Sequence, residues 1–183
     1  MEKADRLFAE TSYPAAIEAY LKAIEDEPAN AMAVIRLGDC YRLTDDFRNA
    51  LRTYARAVKM KGVEGEVWFH YGEVLMINRK YADAIPWLEK YQKKAPEDGR
   101  VAEMIASCKN LEEFAAAKSM YLLRRLPAVN SEYSDFGPCF YGQSVIFSSS
   151  RKRNLLKAAR TGDSFLDFYM APYAGKPDLG EPT

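Results

Sequence analysis

Residues of one kind return every 34 positions between Ala4 and Tyr91, and no other feature limits the fold of this chain as narrowly. Ala16, Ala50 and Ala84 share one phase, Tyr13, Phe47 and Tyr81 a second, Ile17, Leu51 and Ile85 a third, and Tyr20, Tyr54 and Leu88 a fourth. Leu7, Tyr41 and Leu75 keep the same register, as do Ala4, Gly38 and Gly72, Ala23, Ala57 and Tyr91, and Pro28, Gly62 and Pro96. A period of this length is one helix-turn-helix unit, whose apolar face is covered only when a neighbouring unit stacks on it. Within a copy the large residues recur at three- and four-residue steps. Leu37, Tyr41, Phe47, Leu51 and Tyr54, and then Trp68, Tyr71, Leu75, Tyr81, Ile85 and Leu88, give each helix an apolar stripe. Gly38 and Gly72, with Ala50 and Ala84, put small residues where the two helices of a repeat cross, and Gly72 is expected to tolerate only Ala or Ser.

The pattern predicts helices over 3–10, to about Asp26, 31–43, 47–60, 65–77 and 80–94. Pro14 suits the first turn of the second helix. Thr11 and Ser12 read as a turn, and Thr44, Asp45 and Asp46 as turn and N-cap residues. Pro86, inside a helix, predicts a bend. Val101, Met104, Ile105, Cys108, Leu111 and Phe114 mark a further helix over 99–117, which has no partner of repeat phasing and reads as a cap. The phase that holds Val34 and Trp68 would fall before Met1, so the start reads as a cut into a longer chain.

At Ser119 the periodicity changes. Short runs rich in aromatic and β-branched residues, at 120–126, 136–140, 144–149 and 165–170, alternate with turn signals and predict strands and hairpins. The stretch from Ala171 reads as loop. The expected fold class is mainly α, with about three helix-turn-helix repeats and a capping helix over residues 1–118, followed by a small incomplete β segment over 119–183.

Two resemblances carry further expectations. Trp68, Tyr71, Gly72, Leu75, Ala84, Leu88, Tyr91 and Pro96 follow the small-and-large pattern of the tetratricopeptide repeat (TPR) family, and residues 1 to about 97 resemble that family. Tyr91 stands where the family has a small residue, which implies that the end of its helix meets something other than a standard next repeat. Asp135, Pro138, Phe140, Gly142, Val145 to Phe147, Ser149 and Arg151 resemble the first blade of a WD-repeat-like (TolB-type) β-propeller, and Phe165 to Tyr169 looks like its next strand. The order of the two is similar to the OmpA-family outer-membrane lipoproteins of Bacteroidetes, some of which serve type IX secretion and gliding. That resemblance implies a periplasmic or outer-membrane place, with peptidoglycan binding left to parent domains outside this sequence. On the propeller reading, Phe136, Phe140, Val145, Phe147, Phe165 and Phe168 would bury against later blades, and residues 130–183 are expected not to form a stable unit alone.

Charge and cysteine usage exclude other classes. The 26 basic and 26 acidic residues cancel, which leaves no electrostatic case for nucleic acid or an anionic membrane surface. No apolar run approaches the ~20 residues of a membrane-spanning helix, and Glu2, Lys3, Asp5 and Arg6 occupy the place of a signal-peptide core. Cys40, Cys108 and Cys139 are too scattered for a disulfide framework or a metal site, and His70 is the only histidine. No cofactor is expected. Ser148, Ser149 and Ser150 lack a Gly-x-Ser-x-Gly elbow and a base. Asp135 and Asp167 read as hydrogen-bonding residues of turns or strand ends, Cys108 as core, His70 as structural, and Arg151, Lys152, Arg153, Lys157 and Arg160 as a solvated loop.

The candidate site is the concave face formed by the first helix of each repeat. Its phases hold Asp5, Phe8, Met32, Ile35, Asp39, Arg42, Phe69, Glu73 and Met76, and two readings are open. The face is either an apolar peptide groove with acidic spots, or a surface packed by the chain's own cap or β segment. Arg42 alone does not make a clamp for a C-terminal carboxylate. The expected function is a non-catalytic scaffold that binds a protein or peptide. The alternatives are a stand-alone cytosolic TPR adaptor and the N-terminal part of a propeller-bearing peptidase.

Overall fold

The computed structural model describes residues 1–111, 116, 125–151 and 156–173. Among these residues seven helices are followed by a three-stranded antiparallel sheet. The chain divides into two compact units, Met1–Lys118 with Ala159–Thr161, and Ser119–Ala158 with Gly162–Thr183.

In the first unit, α1 (Glu2–Ala9) pairs with α2 (Tyr13–Asp26), α3 (Ala31–Leu43) with α4 (Phe47–Ala57), and α5 (Glu66–Ile77) with α6 (Tyr81–Lys94), while α7 (Gly99–Lys109) packs on α6. Three of the helix starts are fixed by side-chain caps. Asn30 accepts from the Ala33 amide, Asp46 from the Asn49 amide at 3.1 Å, and Asp98 from the Arg100 amide, each satisfying a donor that has no partner inside the helix. The sequence carried α4 to residue 60, but it ends at Ala57, after which the Lys59 and Met60 amides bond back in tight turns. α6 runs through Pro86 as a helix. Ala82 and Pro86 both lie on its exposed side, so the bond that proline removes is open to water. α7 ends at Lys109 with a bend at Asn110, while Leu111 and Ala116, within the expected 99–117, are again helical, and Phe114 lies outside the described residues.

The interior forms two clusters. One joins the first two repeats to Val67 and Val74 of the third, through Ala16, Tyr20, Val34, Leu37, Ala50 and Tyr54. The other joins the third repeat to the cap, through Phe69, Leu75, Leu88, Tyr91, Val101, Ile105 and Cys108. Leu51, Trp68 and Tyr71 pack against both. The crossing points are tight. A Cβ built on Gly38 would lie 2.7 Å from the Tyr54 ring, and one on Gly72 would lie 2.6 Å from Leu88. Alanine at Gly38 would need the buried Tyr54 ring to shift, whereas alanine at Gly72 meets the end of the flexible Leu88 side chain.

The turn inside each repeat has one residue at positive φ, and none of the three is glycine: Thr11 (56°), Asp45 (59°) and Arg79 (60°). They too are 34 residues apart. A non-glycine residue in this region costs on the order of 1 kcal/mol, most for β-branched Thr11. Replacing all three by glycine should stabilise the unit by about 1–2 kcal/mol, because relief of strain outweighs the extra freedom gained by the unfolded chain. Urea titrations followed by circular dichroism would measure the gain. A lower midpoint would mean that the native side chains hold these turns.

In the second unit, β1 (Asp135–Tyr141), β2 (Ser144–Ser149) and β3 (Asp167–Pro172) pair in that order. β3 starts two residues later than the sequence suggested, and Ser164 before it forms an isolated bridge with Lys157. Between Phe136 and Cys139 one extra residue enters β1, and Gly137 takes φ 64° at this bulge. The expected strand at 120–126 lies almost wholly outside the described residues. One face of the sheet is covered: Val145, Phe147, Tyr169 and Ala171 are buried, with Val129 and Leu126 joining the cluster. Phe136, Phe140, Phe165 and Phe168 stay exposed. The apolar set assigned to later blades thus divides, with Val145 and Phe147 satisfied inside the sheet.

Asp135 anchors this unit. It accepts from the Ser131 amide at 2.7 Å, the Ser131 hydroxyl at 2.8 Å, the Ser149 hydroxyl at 2.6 Å and the Arg151 guanidinium at 3.1 Å. Arg151 also donates to the Val129 carbonyl and lies over the Phe147 and Tyr169 rings, about 5 Å from each centroid. The sequence placed Arg151 in a solvated loop, whereas its charge is matched and its plane is stacked. Arg153 lies outside the described residues.

Candidate functional site

A hollow of about 400 Å3 opens on the side of the repeats lined by their first helices. Its size is at the small end of the range for ligand pockets, on the order of 300–1,000 Å3. Phe8 of α1 closes one end. α3 supplies one wall, with Met32, Ile35 and Leu43 as apolar surface and Arg36, Asp39 and Arg42 as charge. The opposite wall is Glu64, just before α5, with Glu66, Val67 and His70 of α5. Successive turns of α3 project these side chains because positions 32, 35, 39 and 42 fall at three- and four-residue steps along one stripe.

Of the predicted residues, the structure brings Phe8, Met32, Ile35, Asp39 and Arg42 together in this hollow. Met32 is the most open at 55% exposure, while Phe8 and Ile35 are half-buried behind it. Phe69 is not on the wall. It shares a phase with Ile35, yet it is buried against Tyr91, with ring centroids 5.3 Å apart and the Arg100 guanidinium 4.8 Å above it. The cause is Tyr91, which stands where the earlier repeats have Ala23 and Ala57 and fills the space beside Phe69. Met76 likewise packs partly against the second core cluster. Sequence reasoning missed Arg36, Leu43, Glu64, Glu66, Val67 and His70. The period contained two of these signals, since Glu66 repeats the phase of Met32, and His70 that of Arg36.

The charged groups are mostly engaged. Asp39 is buried, accepts the Tyr54 hydroxyl at 2.7 Å and pairs with Arg36 at 3.5 Å. It is therefore a structural staple rather than a free acidic spot. The same pair occurs one repeat earlier, where the Tyr20 hydroxyl donates to Asp5 at 2.8 Å. Burial, and then the Asp39 carboxylate, push the Tyr54 phenol well above its ordinary value. In the third repeat Leu88 replaces the tyrosine, and Glu73 turns to other partners, Arg42 at 3.5 Å and His70 at 3.8 Å. The neighbouring His70 ring, 3.8 Å away, followed by the charge of Arg42, holds the Glu73 carboxyl below the usual range against the effect of burial. Burial pushes the Cys40 thiol up to about 12, with Asp39 adding to the shift, so this thiol is unreactive at neutral pH. No group of His, Cys, Asp and Glu suited to a metal is found among the described residues.

Paired helices with Gly38 and Gly72 at their crossings, and a sequence model that matches residues 1–46 and 44–99, decide the family. The chain belongs to the tetratricopeptide repeat family. No curated protein matches it significantly. Among solved structures the TPR unit is similar to MamA (41-end) from Desulfovibrio magneticus RS-1, with TM-score 0.57 and 18% identity over 62% of this chain and 64% of that one. The chain thus spans less than two thirds of the MamA chain it matches. It is also similar to the Yersinia enterocolitica type III secretion chaperone SycD in complex with a peptide of the translocator YopD, with TM-score 0.54 and 19% identity over 61% and 90% of the two chains. A third likeness is the second TPR domain of human RPAP3 in complex with the HSP70 peptide SGPTIEEVD, with TM-score 0.53 and 19% identity over 59% and 90%. At these identities the likeness is one of fold. No helix among the described residues is long and apolar enough to cross a membrane.

Proposed function

We propose that the TPR unit is a non-catalytic docking module that holds a peptide segment of a partner protein in the hollow between α3 and α5. The observation that carries this reading is the apolar wall itself, where Met32 stands open to solvent in front of Phe8 and Ile35. Exposed apolar surface in a concave, charge-rimmed setting is what a peptide's side chains displace water from. SycD and RPAP3 have been solved with peptides bound, which supports the same use of the fold here. The test is capture of an unstructured eight-residue peptide of alternating Leu and Ser, followed by amide chemical shifts. Shifts should concentrate on α3 and on the start of α5, and Met32→Asp should weaken binding at least tenfold while moving the melting midpoint little. Shifts confined to the convex helices α2 and α4 would refute the reading.

For the protein that carries this module, the proposal is a cell-envelope location, periplasmic or outer-membrane, in a scaffold of a secretion or gliding system. Its support is the agreement of the Asp135, Ser149 and Arg151 network with the blade pattern of TolB-type propellers. Fractionation of native cells tests it, and recovery of the protein in the cytosol alone would refute it.

A further inference from the structure

The two walls of the hollow differ in chemistry, and the difference specifies an occupant. On the α3 wall each guanidinium already has a carboxylate, Arg36 with Asp39 and Arg42 with Glu73. On the other wall Glu64 pairs with Lys94, while Glu66, exposed at the first turn of α5, has no hydrogen-bond or ion-pair partner among the described residues. Glu73, two turns further along α5, is not part of the hollow's lining and is engaged by Arg42 at 3.5 Å and His70 at 3.8 Å. Glu66 is thus the hollow-lining carboxylate that has no partner among the described residues.

We infer that the hollow selects an extended peptide segment whose apolar side chains face Met32 and Ile35 and whose flanking lysine or arginine faces Glu66. The inference rests on the hollow being the peptide site. An acidic peptide would set its carboxylates against the unmatched Glu66 while finding Arg36 and Arg42 already paired, and like charges in a partly desolvated groove act as a rejection signal. A basic side chain meets the unmatched carboxylate directly. Glu66 also favours the start of α5 through the helix dipole, which is the role left to it if the inference fails.

The experiment uses the full chain and four fluorescein-labelled peptides in anisotropy titrations. Three share one alternating Leu and Ser frame with two flanking residues that are Lys, Ser or Glu, and the fourth is SGPTIEEVD. The Lys peptide should bind about tenfold tighter than the Ser peptide and the Glu peptide weakest, with the gap narrowing as salt rises from 20 to 300 mM. Glu66→Gln should bring the Lys-to-Ser ratio to about one, the variant being checked by its melting midpoint. Equal binding of the Lys and Ser peptides, tighter binding of the Glu peptide or of SGPTIEEVD, or a ratio unmoved by the substitution would overturn the charge selection while leaving the groove in place. Failure of all four to bind would overturn the groove reading and the selection with it.

Discussion

Gly38→Ala should destabilise the TPR unit by about 2 kcal/mol and lower its melting midpoint by roughly 5–15 °C. Alanine normally favours a helix over glycine by about 1 kcal/mol, so a loss on this scale needs a steric cause. The new methyl would stand 2.7 and 2.9 Å from Cε1 and Cδ1 of Tyr54. That ring cannot step aside, since it is wholly buried and its hydroxyl is tied to Asp39 at 2.7 Å. Gly72→Ala meets Leu88 at 2.6 and 2.7 Å. Leucine has other rotamers and no polar tether, so this substitution should cost less than Gly38→Ala, whereas Gly72→Leu should separate α5 from α6 altogether. Circular-dichroism melts of the three variants would rank them, and an unchanged midpoint for Gly38→Ala would show that α3 and α4 do not cross at Tyr54.

Asp135→Ala should have the largest effect on the second unit. Removing the carboxylate leaves the Ser131 amide, the Ser149 hydroxyl and the Arg151 guanidinium without their shared acceptor. Arg151 is 18% exposed and Ser149 wholly buried, and stranding such groups costs about 3 kcal/mol. The sheet has only a small buried cluster to set against that loss. Amide hydrogen exchange at Phe147 and Tyr169 should accelerate by roughly a hundredfold, while α3 and α5 stay protected; equal exchange in variant and parent would mean the network is ornamental. Acid should act in the same direction. Burial alone would raise the Asp135 carboxyl, but the bonds from Ser149, Ser131 and Arg151 outweigh it and lower it to about 2. A depressed acid contributes stability above the unfolded value of about 4, and loses it as pH falls toward 2. Protection of the β2 and β3 amides, taken relative to the intrinsic exchange rate at each pH, should therefore fall between pH 4 and 2.

The repeats were legible because stacking one helix pair on the next imposes the same residue at the same phase, and Gly38, Gly72, Ala50 and Ala84 are read directly from that constraint. β2 was equally plain, since Val145, Ile146 and Phe147 form a short apolar, β-branched and aromatic run between serines. What escaped were properties set by neighbours distant in sequence. Phe69 and Ile35 occupy one phase, and only the bulk of Tyr91 sends Phe69 into the core. Thr11, Asp45 and Arg79 gave no glycine signal for their left-handed turns, because the two helices they join dictate that backbone regardless of the residue. Arg151 looked solvated next to Lys152, yet its partners Asp135 and Val129 are 16 and 22 residues away. In the candidate site, the phase argument found the α3 wall but passed over Glu66, whose acidic character differs from that of Met32 one repeat earlier.

Both tryptophans of the chain, Trp68 and Trp87, lie in the third repeat. Trp68 packs against both interior clusters, and Trp87 meets the Tyr71 ring edge-on at 5.3 Å, with the Lys90 ammonium 4.1 Å from its centroid. Indole emission is consequently a local gauge, blind to the first two repeats except through the one residue that touches them, whereas helical ellipticity averages over every repeat. The molecule thus carries two thermometers of different reach, and any gap between their readings measures how firmly the last repeat is bound to the stack.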